Sequence, residues 1–101
     1  MTKYYFLGIG GIGMSAIARY FNRKGYKVGG YDRVCSQLCL NLQSEGIDIH
    51  YTDLKDNIPT DFTDPHKTIV IYTPAIPSEH GEFEYFKRHG FKILKRAEIL
   101  G

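Results

Sequence analysis

Residues 3–19, KYYFLGIGGIGMSAIAR, decide the fold. The apolar run Tyr4, Tyr5, Phe6 and Leu7 reads as a buried strand that stops at Gly8. Gly8-Ile9-Gly10-Gly11-Ile12-Gly13 then matches G-x-G-x-x-G, and a helical pattern follows with Ile12, Ala16, Ile17, Ala18 and Phe21 on its apolar face. Strand, glycine turn and helix, in that order, is the context that gives the motif meaning. Gly8 is expected to turn the chain off the strand, Gly10 to let backbone approach a pyrophosphate, and Gly13 to let the helix pack close to the sheet. The unpaired N–H groups and dipole of the helix start then make an anion site at residues 10–15. The competing reading is a glycine turn with no ligand.

Outward from this stretch, the helix is predicted over 12–24 and stops at Gly25. A second strand is predicted over 26–31, although Gly29 and Gly30 weaken its intrinsic preference. Asp32 follows at about the ~20-residue distance at which a βαβ nucleotide unit places its ribose-binding carboxylate; a capping or solvated Asp is the alternative. Ser36 is expected to cap a second helix, with Leu38, Cys39 and Leu42 inward, that ends at Gly46. Residues 47–51 alternate as a third strand. A polar connection over 52–67 carries Pro59 and Pro65 as breakers and one short helical turn at 54–57.

Residues 69–72, IVIY, read as a strand buried on both faces, and Thr73-Pro74-Ala75-Ile76-Pro77 as a stiff loop after it. Ser78 is expected to cap a helix over 79–89 that turns Phe83 and Phe86 to the sheet; 91–94 make a fifth strand. The predicted fold is α/β, a Rossmann-like open parallel sheet of about five strands with helices on both faces. Its ligand is expected outside the carboxyl ends of the strands, where loops 8–15, 32–36 and 73–78 converge.

The 101 residues suit one domain, and 43% hydrophobic with 24% charged residues is ordinary globular composition. No apolar run is long enough to span a bilayer and no signal-peptide layout opens the chain, so no membrane role and a cytoplasmic location are expected. A net charge of +2 gives no argument for nucleic acid. Lys87, Arg88, Lys92, Lys95 and Arg96 gather near the C-terminus and read as a solvated face or a docking surface. Cys35 and Cys39 do not complete a zinc site and read as reduced thiols near a helix start. His50, His66, His80 and His89 fall in separate segments, each read as a surface or strand-end histidine, and no nucleophile–base grouping stands out. No G-x-x-x-x-G-K-[ST] loop is present, so ATP has no site in these residues.

Phe6-Leu7-Gly8-Ile9-Gly10-Gly11-Ile12-Gly13-Met14-Ser15 resembles the opening of the Mur ligases, bacterial peptidoglycan-precursor enzymes, and within them the branch that joins L-alanine to UDP-N-acetylmuramate. Gly30-Tyr31-Asp32 with Ser36 and Leu42, Thr73 to Pro77, and Arg96-Ala97-Glu98-Ile99-Leu100-Gly101 are similar to three further segments of that family. The resemblance implies that residues 1–101 are a single UDP-sugar-binding domain of a three-domain ligase, with 95–101 starting the connector to an ATPase domain. It implies a ligase that phosphorylates the lactyl carboxylate of UDP-N-acetylmuramate with ATP and Mg2+, then joins it to L-alanine. This domain would bind and not catalyse, hold no cofactor or metal of its own, and have as partners the UDP-sugar and the other domains.

Carried over by position, Gly8, Gly10, Gly11, Ile12, Gly13, Met14 and Ser15 would hold the diphosphate, with the Ser15 hydroxyl as an extra donor. Asp32 and Ser36 would lie near ribose and uracil; Thr73, Ala75 and Ile76 would line the other wall. The chain departs from the family pattern at Tyr31 (often Ser), at Cys39 (commonly Thr), at Tyr51-Thr52-Asp53 (a frequent Gly-His pair and a uracil contact), and at His80-Gly81-Glu82 (Asn-Pro-Glu). Two other readings compete: an NAD-binding Rossmann domain of a dehydrogenase or regulatory module, which the glycines and Asp32 also fit, and a protein-interaction domain that kept the fold without its ligand.

Overall fold

A computed structural model describes residues 2–77 and 79–100, apart from the side chains of Lys55 and Leu100. Strand β1 (Lys3–Leu7) sits at the centre of a five-stranded parallel sheet of order β3-β2-β1-β4-β5, with β2 at Lys27–Tyr31, β3 at Asp48–His50, β4 at Thr68–Tyr72 and β5 at Lys92–Lys95. Leu7 pairs with Tyr31 on one side and Tyr72 on the other. The chain builds outward from β1 to β3, then crosses to β4 on β1's other flank. Strand order therefore reverses between β1 and β4, and there the carboxyl ends leave a crevice.

Alternation along β1 divides the core into two layers. Phe6 packs with Met14, Ile17 and Ala18 of α1 (Ile12–Arg23) and with Cys39 and Leu42 of α2 (Gln37–Ser44). Tyr5 and Leu7 face the opposite layer, with Phe83 and Phe86 of α3 (Gly81–Arg88) and with Ile58 and Phe62 of the connection. Helices thus cover both faces, as predicted. A final helix, α4 (Arg96–Leu100), follows β5 and lays Ile99 against the α1 layer. Among the described residues, no helix is long and apolar enough to cross a membrane.

Three differences from the predicted elements have physical causes. The helix expected over 79–89 begins at Gly81, and its cap is His80 rather than Ser78, which lies outside the described residues. Asp53, from a distant loop, fixes that start by accepting from the amides of Gly81 and Glu82 at 2.8 and 2.9 Å. The third strand keeps only Asp48–His50 of the predicted five residues. The connection holds the expected turn, at Lys55–Asn57, and a second 3-10 turn at Thr60–Phe62. That second turn explains a glycine in β2: a Cβ on Gly29 would fall 2.7 Å from the Phe62 ring, which is fully buried there.

Candidate functional site

At the end of β1, Gly8 has a φ of 89°, a conformation side chains rarely adopt, and the amides of Gly8 and Ile9 both donate to the Tyr31 carbonyl. The chain is thereby bent over the end of β2 before α1 starts. Gly11 precedes the helix in extended conformation with no side-chain cap. The first α-type bond runs from the Ser15 amide to the Gly11 carbonyl, at 2.8 Å. The amides of Ile12, Gly13 and Met14 come before it and are the orphan donors of the helix end.

A cleft of about 430 Å3 opens beside this turn, walled by all three predicted loops. Gly8 and Gly11 come from the first, Asp32, Arg33 and Val34 from the second, and Thr73, Ala75, Ile76 and Pro77 from the third; Tyr31 and His80 complete it. The third loop is tied internally, the Ala75 amide donating to Thr73 Oγ1 and the Ile76 amide to the Thr73 carbonyl. A larger groove of about 530 Å3 lies on the other side of α1, between its outer face and Ile99. Its lining (Ala16, Ile17, Tyr20, Phe21 with Gly13 and Ile99) is apolar and lacks the convergent polar groups of a nucleotide site.

Six of the predicted site residues meet in the cleft: Gly8, Gly11, Asp32, Thr73, Ala75 and Ile76. The others do different work. Gly10 is not one of the cleft's lining residues, and its amide donates to Asp32 Oδ2 at 2.7 Å. A Cβ there would fall 2.7 Å from Cys39 Sγ and 2.8 Å from Asp32 Oδ2, so the position is glycine because Asp32 and Cys39 crowd it. Gly13 likewise abuts the Arg96 guanidinium rather than the sheet. The Ile12 side chain is 88% exposed, whereas Met14 is in the core. The buried Ser15 hydroxyl donates to the Ile12 carbonyl, and Ser36 Oγ accepts from the Cys39 amide as the cap of α2.

Asp32 is placed as expected and used differently. One carboxylate oxygen accepts from Gly10, the other from the Val34 amide at 2.9 Å, so this side chain ties the glycine turn to the loop after β2. Arg33, Val34 and Pro77 come from the predicted loops although none was named as a site residue, while Tyr31 and His80 lie outside those loops; Arg33 adds a cation beside Asp32.

Behind the cleft lies a buried polar cluster. Glu82, 0% exposed, accepts from the Tyr5 hydroxyl at 2.8 Å and meets His50 Nε2 at 2.6 Å. Burial, reinforced by the Glu82 charge, pushes the Tyr5 hydroxyl far above its ordinary pKa and keeps it a donor. Glu82 also sits in the first turn of α3, where the helix dipole favours a carboxylate. Beside it, His80 Nδ1 lies 3.1 Å from Asp53, and its ring meets Tyr31 edge-on at 4.7 Å between centroids. His50 and His80 are therefore structural members of one cluster, a grouping that their separation in sequence conceals.

Comparison with known proteins decides the family. The model described as "Mur ligase family, catalytic domain" matches residues 3–101. The chain belongs to the Mur ligase family. Among curated Mur ligases, the UDP-N-acetylmuramate–L-alanine ligases of Phocaeicola vulgatus and Porphyromonas gingivalis are 55% and 50% identical to it over 101 residues. All of this chain is covered and 22% of each relative, so the chain spans about a fifth of their length. The crystal structure of UDP-N-acetylmuramate-alanine ligase MurC from Thermotoga maritima superimposes with a TM-score of 0.86 at 30% identity, covering 99% of this chain and 22% of that one. A Neisseria Mur ligase, which adds L-alanyl-γ-D-glutamyl-meso-diaminopimelate to UDP-N-acetylmuramate by its name, shares the fold at a TM-score of 0.84 and 19% identity.

Proposed function

We propose that residues 1–101 form the UDP-sugar-binding domain of a cytoplasmic ligase that joins L-alanine to UDP-N-acetylmuramate in peptidoglycan precursor synthesis. The observation that carries this reading is the cleft at the strand-order reversal, walled by the three carboxyl-end loops, with the orphan amides of α1 beside Gly11. A diphosphate there gains N–H donors and the helix dipole together. The 50% and 55% identity to L-alanine ligases over all 101 residues of this chain supports this substrate over other UDP-sugars. The anion site is then made by the backbone amides of Ile12, Gly13 and Met14, with Gly10, Gly11 and Asp32 holding its shape.

In this reading the domain binds and presents substrate, and residues 95–101 lead to the parts of the ligase that use ATP. In this reading ATP and Mg2+ bind in those further parts, since the sequence here has no G-x-x-x-x-G-K-[ST] phosphate loop. The partners are UDP-N-acetylmuramate and those further domains.

Gly11→Asp tests the anion site. Gly11 has φ −64° and ψ 148°, and a Cβ there meets nothing closer than 3.5 Å. Asp is also a better N-cap than Gly, by a few tenths of a kcal/mol. The variant should fold at least as well as the parent and lose UDP-N-acetylmuramate binding, because its carboxylate occupies the anion position. Parent-like affinity in the folded variant would overturn the site.

A further inference from the structure

Two cysteines flank the start of α2. Cys35 is exposed and stands just ahead of the helix, whereas Cys39, in its first turn, is fully buried. Cys35 is the apex of a three-residue turn in which the Ser36 amide donates to the Val34 carbonyl at 3.0 Å. The Cys39 thiol donates to the same carbonyl oxygen, at 3.7 Å. Peptide planarity fixes the Cα of Cys35 about 2.8 Å from that oxygen, which puts the Cys39 sulfur within about 6.5 Å of it. A rotation of the exposed Cys35 side chain, with a small shift of its turn, closes that gap to a disulfide. Tyr51, just after β3, packs against the same group and donates to Gln43 Oε1 at 2.8 Å. Burial raises the pKa of its hydroxyl, and hydrogen bonding with Cys35 and the neighbouring Cys39 raise it further, so both thiols stand beside one hydroxyl. Cys39 and Tyr51 are also two of the positions at which the chain departs from the family pattern. Cys39 Sγ lies 2.7 Å from where a Cβ on Gly10 would fall, directly behind the bond from the Gly10 amide to Asp32.

We propose that Cys35 and Cys39 are a redox-sensitive dithiol that closes to a disulfide and, in closing, loosens the glycine turn. The oxidant is a low-molecular-weight disulfide. The exposed Cys35 thiolate attacks one of its sulfurs and forms a mixed disulfide; the small thiolate that leaves takes up the proton Cys35 gave up. Cys39 then attacks the Cys35 sulfur, the bond within the protein forms, and the second small thiol leaves with the Cys39 proton. Two protein thiols are oxidised and one small disulfide is reduced to two thiols. An S–S bond of about 2.05 Å draws Cys39 Sγ toward the exposed side, off Gly10 and off the Val34 carbonyl. The Gly10–Asp32 hydrogen bond then loses the packing behind it. Both thiols are free in this structure, and a disulfide of this kind in a reducing compartment is transient and redox-sensing.

The test uses this chain, reduced and then equilibrated with glutathione disulfide, and needs no nucleotide, so its outcome is independent of the UDP-sugar reading. Intact mass reads the thiols, and NMR-detected hydrogen exchange reads the Gly10 amide. The oxidised chain should lose two hydrogens, with both cysteines protected from iodoacetamide until dithiothreitol is added. Exchange at Gly10 should be at least about tenfold faster in that form and return to the starting rate on reduction. Cys35→Ser changes an exposed side chain, should fold as the parent does, and should show neither the mass loss nor the faster exchange. Glutathione that stays attached, a disulfide between two copies, or no reaction at all would overturn the dithiol. A closed disulfide with unchanged Gly10 exchange would overturn its link to the turn, as would faster exchange in Cys35→Ser under the same treatment.

Discussion

Gly10 and Asp32 carry the glycine turn as one unit. The motif G-x-G-x-x-G predicts Gly10 as the place where backbone meets pyrophosphate, and Asp32 as the carboxylate that meets ribose. Their partners prove to be each other, at 2.7 Å, with Cys39 Sγ filling the remaining space. Gly10→Ala is therefore expected to destabilise the fold by about 1–3 kcal/mol through overpacking. Part of that loss should return in Gly10→Ala/Cys39→Ala, which vacates one of the two crowding atoms; denaturant titration of the four proteins of this cycle reads the coupling. Asp32→Ala should cost about 1–3 kcal/mol, because two backbone donors lose a charged acceptor. The motif was legible because three of its glycines are spaced for a turn. Which atoms crowd each glycine was not, since Cys39 and Arg96 reach it from 29 and 83 residues away in the sequence.

Elements capped by their own neighbours could be read locally, and elements capped from afar could not. Ser36 caps α2 within its own turn, as predicted. Helix α3 starts two residues later than Ser78 and Glu79 suggest, because Asp53 supplies acceptors to its first amides from 28 residues upstream. The same α3 terminus buries Glu82 between Tyr5 and His50, residues brought together only by the order β3-β2-β1-β4-β5. Glu82→Ala should cost about 3 kcal/mol or more, leaving a buried hydroxyl and an imidazole without their acceptor, whereas Tyr5→Phe should cost about 1 kcal/mol, both read by urea unfolding. On the opposite face, Arg19 donates from Nε to both Glu45 oxygens and ties α1 to the end of α2. That hydrogen bond holds the Glu45 carboxyl below its ordinary pKa. Its contribution is present above the ordinary carboxylate range and lost as pH falls through the lowered value, so Arg19→Ala should flatten the acid limb of the stability profile slightly.

For the molecule as a whole, the two-sided core follows from β1: Phe6 enters one layer, Tyr5 and Leu7 the other, and both layers share one sheet. A single cooperative transition is expected in calorimetric melting, with van't Hoff and calorimetric enthalpies equal. The parallel sheet, its two helical faces and the cleft at the reversal of strand order were all readable from alternating strand and helix patterns. The short β3 and the Thr60–Phe62 turn were not, because Phe62 is held by the space that Gly29 leaves rather than by local preference. The same cleft geometry would suit NAD as well as a UDP-sugar on glycines alone. The family places the chain among ligases, which decides against the NAD reading. The most direct measurement is calorimetric titration of this chain with UDP-N-acetylmuramate, with NAD in a parallel cell. Saturable binding of the UDP-sugar and no heat with NAD is the predicted result; binding of NAD and not of the UDP-sugar would contradict it.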